Sequence, residues 1–551
     1  MAPRIAIIGA GFGGLCMAIR LERAGITTYT VFEKAGDLGG TWRDNTYPGA
    51  GCDIPSHLYS YSFERYASWT RRYAEQPEIL GYLYRCADKY GVRRKIRFNT
   101  EVVSADFDGS RWQVATAPAS PAQPAEAHPA AAPASPAPAS AAPDAAAPAS
   151  TAPDAAAPAF AAPAFAAPAF AAPAFAAPAF AAPASAASGS VETFDVVVAA
   201  VGQLNRPHLP DIPGISDFAG TSFHSARWDH AHDLTGRRVA VIGNGSSAAQ
   251  LIPLVARAAG RLEVFQRTPN WVIPKPDAAF GPWARLALRY VPGAQRAYRE
   301  WIYRYAEATL YPALARGWSA DLLRNRALGH LHRQVPDPAL RAKLTPGYPP
   351  GCKRVVIDSA FYPALTRPNV DVVTEKIIRI TPEGVETAEG LHPADTIVYA
   401  TGFRSTELLA PMRVTGRDGA DLAERWGAGA EAYLGISMPG FPSLFLLYGP
   451  NTNLGHNSIV FMLECQVNHV MACLPDLSAH GPMEVRPEAM AVWRRRLGDA
   501  MERMVWQDGC RSWYKTADGR VTNNWPGTTT LYRRLTSRPP RRAYRHLRPA
   551  P

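Results

Sequence analysis

The chain is poor in cysteine and almost devoid of lysine. Its seven cysteines stand at 16, 52, 86, 352, 465, 473 and 510, with no C-x-x-C or C-x4-C spacing among them. That pattern indicates neither a redox disulfide nor a zinc site, and no metal is expected. The odd count fits a reducing cytoplasm. Only 8 of the 58 basic residues are lysine, and the rest are arginine. No apolar run approaches the roughly 18 residues of a spanning helix, so no transmembrane segment is predicted. The apolar start at Ile5 is too short for a secretory signal and runs straight into a glycine loop. No nucleic-acid motif accompanies the net charge of +11. The charge therefore reads as a soluble, arginine-rich surface with some attraction for an anionic cofactor, not as a nucleic-acid partner. Seven of the last 19 residues are arginine. They read as a solvated tail, with a membrane or anion contact as the other reading.

Two glycine loops answer each other. Gly9-Ala10-Gly11-Phe12-Gly13-Gly14 follows one apolar run, and Glu33 stands 24 residues after its first glycine. Gly243-Asn244-Gly245-Ser246-Ser247-Ala248 follows another, and the same offset ends on Arg267, next to Thr268. Such loops permit a tight turn, close approach to a pyrophosphate, and helix–strand packing at Gly14 or the small Ala248. An acid at that distance suits ribose hydroxyls, while an arginine suits a 2′-phosphate. One chain thus reads as holding two dinucleotides, the second of NADP type.

At 551 residues two or three domains are expected. Residues 4–8, 29–32, 196–200, 238–242, 263–266 and 396–400 read as buried strands in a β-α pattern, hence a parallel α/β fold. The second loop begins far inside the chain, between two similar strand ends at 195–202 and 395–402. The expected architecture is one Rossmann-like domain nested within another. The first comprises 1–116, a return strand and linker at 189–217, and 386–551. The second spans 218–385, with a helical insertion at 278–350 whose aromatics are expected mainly in the core.

Residues 117–188 are Ala/Pro-rich and lack Lys and Arg, and 161–180 repeat Ala-Ala-Pro-Ala-Phe four times. Proline at that spacing blocks helix and sheet, so a disordered or polyproline-like spacer is expected. Its flanks, Arg111–Val114 and Val191–Phe194, read as a hairpin whose turn the segment enlarges. Loop closure at that length costs roughly 2 kcal/mol more than a short turn, which a large domain absorbs.

Between the loops, Phe218, Gly220, His224, Trp228 and Asp229 fall in the order F-x-G-x-x-x-H-x-x-x-W-[PD]. Here the chain resembles the type I Baeyer–Villiger monooxygenases. Related flavin monooxygenases acting on nitrogen or sulfur usually carry Tyr or Phe in place of Trp228. The resemblance extends to Gly39-Gly40-Thr41-Trp42, to Asn45 through Asp53, to Gly351-Cys352-Lys353-Arg354, and to Ala400-Thr401-Gly402-Phe403. It covers nearly the whole chain except 117–188 and the terminal arginines.

That resemblance implies an FAD- and NADPH-dependent enzyme that uses O2 to turn a small-molecule ketone into an ester or lactone through a C4a-peroxyflavin. It implies FAD contacts at Gly9, Gly11, Gly14, Glu33, Gly40, Thr41, Trp42, Asp53, Tyr59 and Val102. NADP contacts fall at Gly243, Gly245, Ser246, Ser247, Ala248, Arg267, Thr268, Lys353 and Arg354. Arg354 would be the fixed catalytic cation, oriented by Asp53, and His224 and Trp228 would couple the linker to NADP binding. The loop from Gly449 to Ser458 passes the flavin ring or serves as a set of loop caps. The competing readings are a flavin monooxygenase of amines or sulfides, a nucleotide–disulfide reductase, and a flavin-binding scaffold. The missing cysteine pair weighs against the reductase, and intact loops with Asp53 and Arg354 weigh against the scaffold. Neither the oligomeric state nor the particular ketone is legible.

Overall fold

Each glycine loop begins where a short strand ends in a fully parallel sheet. The structure is a computed structural model and describes residues 2–119, 189–427, 429–510 and 512–547. The first sheet runs in the order Leu444–Leu446, Val196–Ala199, Ile5–Ile8, Tyr29–Phe32, Ile96–Arg97. The second runs Val370–Val373, Arg261–Phe265, Arg238–Ile242, Thr396–Tyr399, Thr221–His224. Their central strands are buried on both faces, which is why they read as unbroken apolar runs and not as alternating ones. Each fully buried Ile, Val or Leu in them contributes about 1.5–3 kcal/mol through the hydrophobic effect.

The two units repeat one another in detail. Gly9 N–H donates to the Phe32 carbonyl, and Ala200 N–H to that of Ile8. Correspondingly, Gly243 N–H donates to Phe265 and Ala400 N–H to Ile242. Gly9 and Gly243 both have positive φ, 103° and 116°. A Cβ at either would lie 2.7 or 2.4 Å from the carbonyl oxygen of Ala200 or Ala400. Glycine is therefore required twice for the same steric reason. Helices α1 (Phe12–Arg23) and α2 (Ser246–Ala258) start directly after the loops. Leu15, Met17, Ile19 and Leu21 bury α1 between the first sheet and the helix Ile459–His480.

One boundary moves. The strand at 396–399, expected to return the chain to the first unit, belongs to the second sheet and pairs with Arg238–Ile242. An assignment of 386–551 to the first unit therefore starts before the last strand of the second sheet, Thr396–Tyr399. Thr396–Tyr399 stands to Arg238–Ile242 as Val196–Ala199 stands to Ile5–Ile8, and that symmetry made the two segments look alike in sequence.

The hairpin flanking the low-complexity segment forms as expected. Trp112–Pro118 pairs antiparallel with Ser190–Phe194, Thr116 opposite Ser190. The strand runs through Pro118, so the insert starts later than 117, and the expectation of disorder over 120–188 lies outside the described residues. Trp112 is buried and its indole N–H donates to the Pro442 carbonyl at 2.7 Å.

The arginine-rich end is more ordered than a solvated tail. It forms the helix Thr529–Thr536 and a strand, Tyr544–His546, paired with Met483–Val485. Tyr544 is buried, and Arg545 binds Glu484 at 2.6 Å.

The helical insertion contains α3 (Pro282–Tyr290) and α4 (Ala294–Leu314), followed by Ala320–Gln334 and Pro338–Lys343. Its aromatics do not gather in the core. Phe280 and Tyr303 are buried, whereas Trp283, Tyr290, Trp301, Tyr305 and Trp318 are exposed. Periodicity marks an apolar helix stripe but not whether anything covers it.

Candidate active site

The first loop lines a cleft of about 1210 Å³, counting its open mouth. Of the residues expected at FAD, Gly9, Gly11, Glu33, Gly40, Thr41, Trp42, Tyr59 and Val102 line it. Gly14 lies beneath, where a Cβ would come 1.8 Å from the Gly9 carbonyl oxygen. Gly11 and Gly40 face each other, and a Cβ on Gly40 would reach the Gly11 Cα at 3.1 Å. α1 has no side-chain cap at Gly11, leaving its first N–H groups for an anion. The buried carboxylate of Glu33 accepts from Ala10 N–H at 2.8 Å and Ala35 N–H at 3.0 Å. Arg43 also donates to it at 3.0 Å. Arg43 lines the cleft but escaped sequence reading, because only folding brings it to Glu33. Asp53 does not line this cleft; it belongs with Arg354.

The second loop offers the complementary features. A Cβ on Gly245 would meet nothing within 4 Å, and α2 again starts without a side-chain cap. Ser246 and Ser247 are half-buried on its first turn, and Ala248 is buried beneath. Asn244, between the glycines, donates to Gln266 at 3.0 Å and to the Thr268 carbonyl at 2.9 Å, tying the loop to the next strand end. Arg267 and Thr268 are exposed at that strand end. Lys353 reaches Thr268 Oγ1 at 2.5 Å. Burial and the charge of Arg267 hold the Lys353 ammonium below its ordinary pKa. Among the described residues neither cation has an acidic partner, so two positive charges stand together uncompensated.

Arg354 is paired. Its Nη2 donates to Asp53 Oδ2 at 2.5 Å and its Nε at 3.2 Å. The Asp53 carboxylate raises the guanidinium pKa further, against the opposing effect of burial. Tyr448 and the buried Tyr514 complete the surroundings, and burial pushes the Tyr514 hydroxyl up to about 12 despite the nearby guanidinium. Arg354 keeps 30% of its side chain exposed, so a pinned cation still faces open space. The residue before Lys353 corrects the cysteine reading. Cys352 is disulfide-bonded to Cys510, 158 positions away, while the other five cysteines are free and buried. No sequence spacing signals a pair so far apart.

The fingerprint residues lie at the junction of the two units. Phe218 is buried, and a Cβ on Gly220 would strike it and the Asp395 carbonyl at 2.6 Å. Trp228 packs edge-on against Phe223, and Asp229 caps the Ala231 N–H at 2.9 Å. Next to them His230 meets Thr46 Oγ1 at 2.8 Å. From α2, Gln250 accepts from the Tyr47 hydroxyl at 2.8 Å and donates to the Gly51 carbonyl at 3.0 Å. A Cβ on Gly49 would lie 2.6 Å from the Gln250 carbonyl oxygen. The helix of the second loop thus grips the stretch that ends at Asp53. In the Gly449–Ser458 loop, side chains are used for packing: Asn451 donates to Val521 and Asn524 carbonyls, and His456 meets Glu307 at 3.2 Å.

His224 is buried against Phe403, and its Nδ1 accepts from Ala226 N–H at 3.0 Å. Burial lowers its pKa to about 4, as it does for His57 and His469. Such a native state binds fewer protons than the unfolded chain between pH 4 and 6.5. The stability contributed by three neutral histidines is complete above pH 6.5 and is lost as pH falls through about 4. The melting temperature is expected to fall steadily on acidification over that window. His57, whose two ring nitrogens have no partner and which packs on Phe280 and Tyr298, provides the check. His57→Phe should flatten the slope, and an unchanged slope would remove His57 from the account.

Comparisons with known proteins agree with this geometry. Residues 7–76 match an NAD(P)-binding Rossmann-like domain family, and 184–291 match a flavin-binding monooxygenase-like family. The chain is 38% identical to a Baeyer–Villiger monooxygenase of Streptomyces coelicolor, over 100% of this chain and 93% of the relative. It is 36% identical to one of Pseudomonas aeruginosa, over 100% and 92%. Among solved structures, an oxidised steroid monooxygenase bound to NADP superposes with TM-score 0.75 at 30% identity, covering 98% of this chain and 97% of the other. OTEMO in complex with FAD and NADP superposes with TM-score 0.76 at 26% identity, covering 97% of each chain.

Proposed function

The chain belongs to the Baeyer–Villiger monooxygenases, and from that premise we propose that Arg354, held by Asp53, is the fixed cation about which it oxidises a ketone with NADPH and O2. FAD and NADPH, when bound, supply hydride transfer and oxygen activation. The first cleft would hold FAD, its pyrophosphate at Gly9, Gly11 and the start of α1, its ribose toward Glu33. The second loop would hold NADP at Gly243, Gly245 and Ser246, with Arg267 and Lys353 on the 2′-phosphate. Asp53 fixes the guanidinium plane, so Arg354 stands ready for negative charge developing on the attacking oxygen and on the ketone oxygen. An arginine cannot lose its proton there, so the charge persists at every working pH. His224 stays neutral and buried, which suits a conformational role at the junction and not proton transfer.

The observation that carries this reading is the Arg354–Asp53 pair beside two uncompensated cations and two glycine loops. The test is product analysis with NADPH, O2 and a panel of cyclic, linear, aryl and steroidal ketones plus thioanisole. Esters or lactones are expected. Sulfoxide alone, with every ketone untouched, would assign heteroatom oxygenation instead. We also propose a cytoplasmic location, supported by five free, buried cysteines, with the single Cys352–Cys510 bond as the one feature that points the other way. Cell fractionation tests it.

A further inference from the structure

Half of the exposed large hydrophobic residues fall within one stretch of forty. Trp283, Leu286, Tyr290, Val291, Trp301, Tyr305, Trp318 and Leu322 are eight of sixteen among the described residues, and the three exposed tryptophans are all there. α3 has no buried residue. Trp283, Leu286 and Tyr290 follow the i, i+3, i+7 spacing and share one helical face. Leu288, on the opposite side, packs against the core. A short turn, Val291–Gly293, leads to α4, where Tyr298, Trp301 and Tyr305 stack in a ladder with centroids 6.1 and 5.7 Å apart. Tyr298 is anchored against Phe280 and His57, and the ladder grows outward from it to Trp301 and Tyr305, 60% and 47% exposed.

The charge along this stretch of sequence is mainly of one sign. Residues 281–326 contain eight arginines against three acids. Five of these charges pair off, Arg304 with Glu300 and Arg299 with Glu464 of another helix, while Arg316 meets Asp508 and Glu307 meets His456. Among the described residues Arg285, Arg289, Arg296, Arg324 and Arg326 have no acidic partner within salt-bridge distance. A second copy meeting this face through a two-fold axis would bring like charges together. An anionic lipid surface meets both demands: tryptophan and tyrosine settle at the bilayer interface, and arginine pairs with headgroups.

We infer that α3 and α4 form a peripheral membrane-docking surface selective for anionic bilayers. The docked face also has a direct mechanical link to the site. α4 runs from Trp301 to Leu314, which packs in one apolar cluster with Cys352 and Tyr514, beside Arg354. An apolar substrate that partitions into lipid would then be concentrated at the end of the helix whose other end abuts the catalytic segment.

The test is flotation of the full chain with vesicles of phosphatidylcholine alone and with about one third phosphatidylglycerol. Wild type is expected to float with the anionic vesicles at least tenfold more than with the neutral ones, and to be released by salt. The triple variant Trp283→Ser, Tyr290→Ser, Trp301→Ser changes exposed residues only, and its melting temperature and NADPH consumption verify folding. It should lose flotation at least tenfold. No partition of wild type into anionic vesicles would overturn the proposal, as would undiminished flotation of the variant. Light scattering showing a wild-type dimer that the variant loses would reassign the face to self-association.

Discussion

Arg354→Ala is expected to lose ester or lactone formation by about 100- to 1,000-fold in kcat, the usual effect of removing one preorganised charge from a developing oxyanion. NADPH consumption should persist, because neither glycine loop depends on this side chain. The separation of the two activities is the diagnostic result, read as product by gas chromatography against NADPH loss at 340 nm. Arg354→Lys should rescue little. Both Nε and Nη2 contact one carboxylate oxygen, at 3.2 and 2.5 Å, and a lysine ammonium cannot reproduce that planar grip. Full ketone oxidation by the alanine variant would sink the assigned role. Uniform loss of NADPH consumption and product would instead point to a collapsed site.

The second large effect concerns the coenzyme. Arg267 and Lys353 form an uncompensated pair of positive charges, one lowering the proton affinity of the other. A dianionic 2′-phosphate placed between them would relieve that repulsion, and each charge-assisted contact is worth about 1.5–3 kcal/mol. The double variant Arg267→Ala, Lys353→Met is therefore expected to raise KM for NADPH by about 100-fold, with kcat at saturation largely kept. KM for NADH, which lacks the phosphate, should scarcely move. Parallel titrations with the two coenzymes decide the matter, and an equal loss with both would remove the phosphate-binding assignment.

The paired loops were legible because steric demand leaves a mark in sequence. Gly9 and Gly243 must be glycine, and the strands beneath them must be apolar on both faces. Arg354 and Asp53 were legible only through resemblance, since 301 positions separate them and no local pattern links them. The Cys352–Cys510 bond and the Arg43–Glu33 contact were hidden for the same reason: they are products of tertiary packing. The strand at 396–399 misled because local pattern describes a strand but not its neighbours. The aromatics of α3 and α4 misled because hydrophobicity speaks for burial in general, whereas exposure depends on what else the chain brings to that face.

The hairpin at 112–118 and 190–194 has a consequence for how this enzyme can be rebuilt. Thr116 and Ser190 are 74 positions apart in sequence, yet they are cross-strand partners whose side chains touch at 3.0 Å. The chain therefore leaves and re-enters the scaffold through a gate about 5 Å wide. An independently folding domain with adjacent termini is expected to be tolerated there, since Asp53, Arg267, Lys353 and Arg354 all lie on other segments of the chain. A coenzyme-recycling dehydrogenase spliced into that gate would make one polypeptide that regenerates its own reductant.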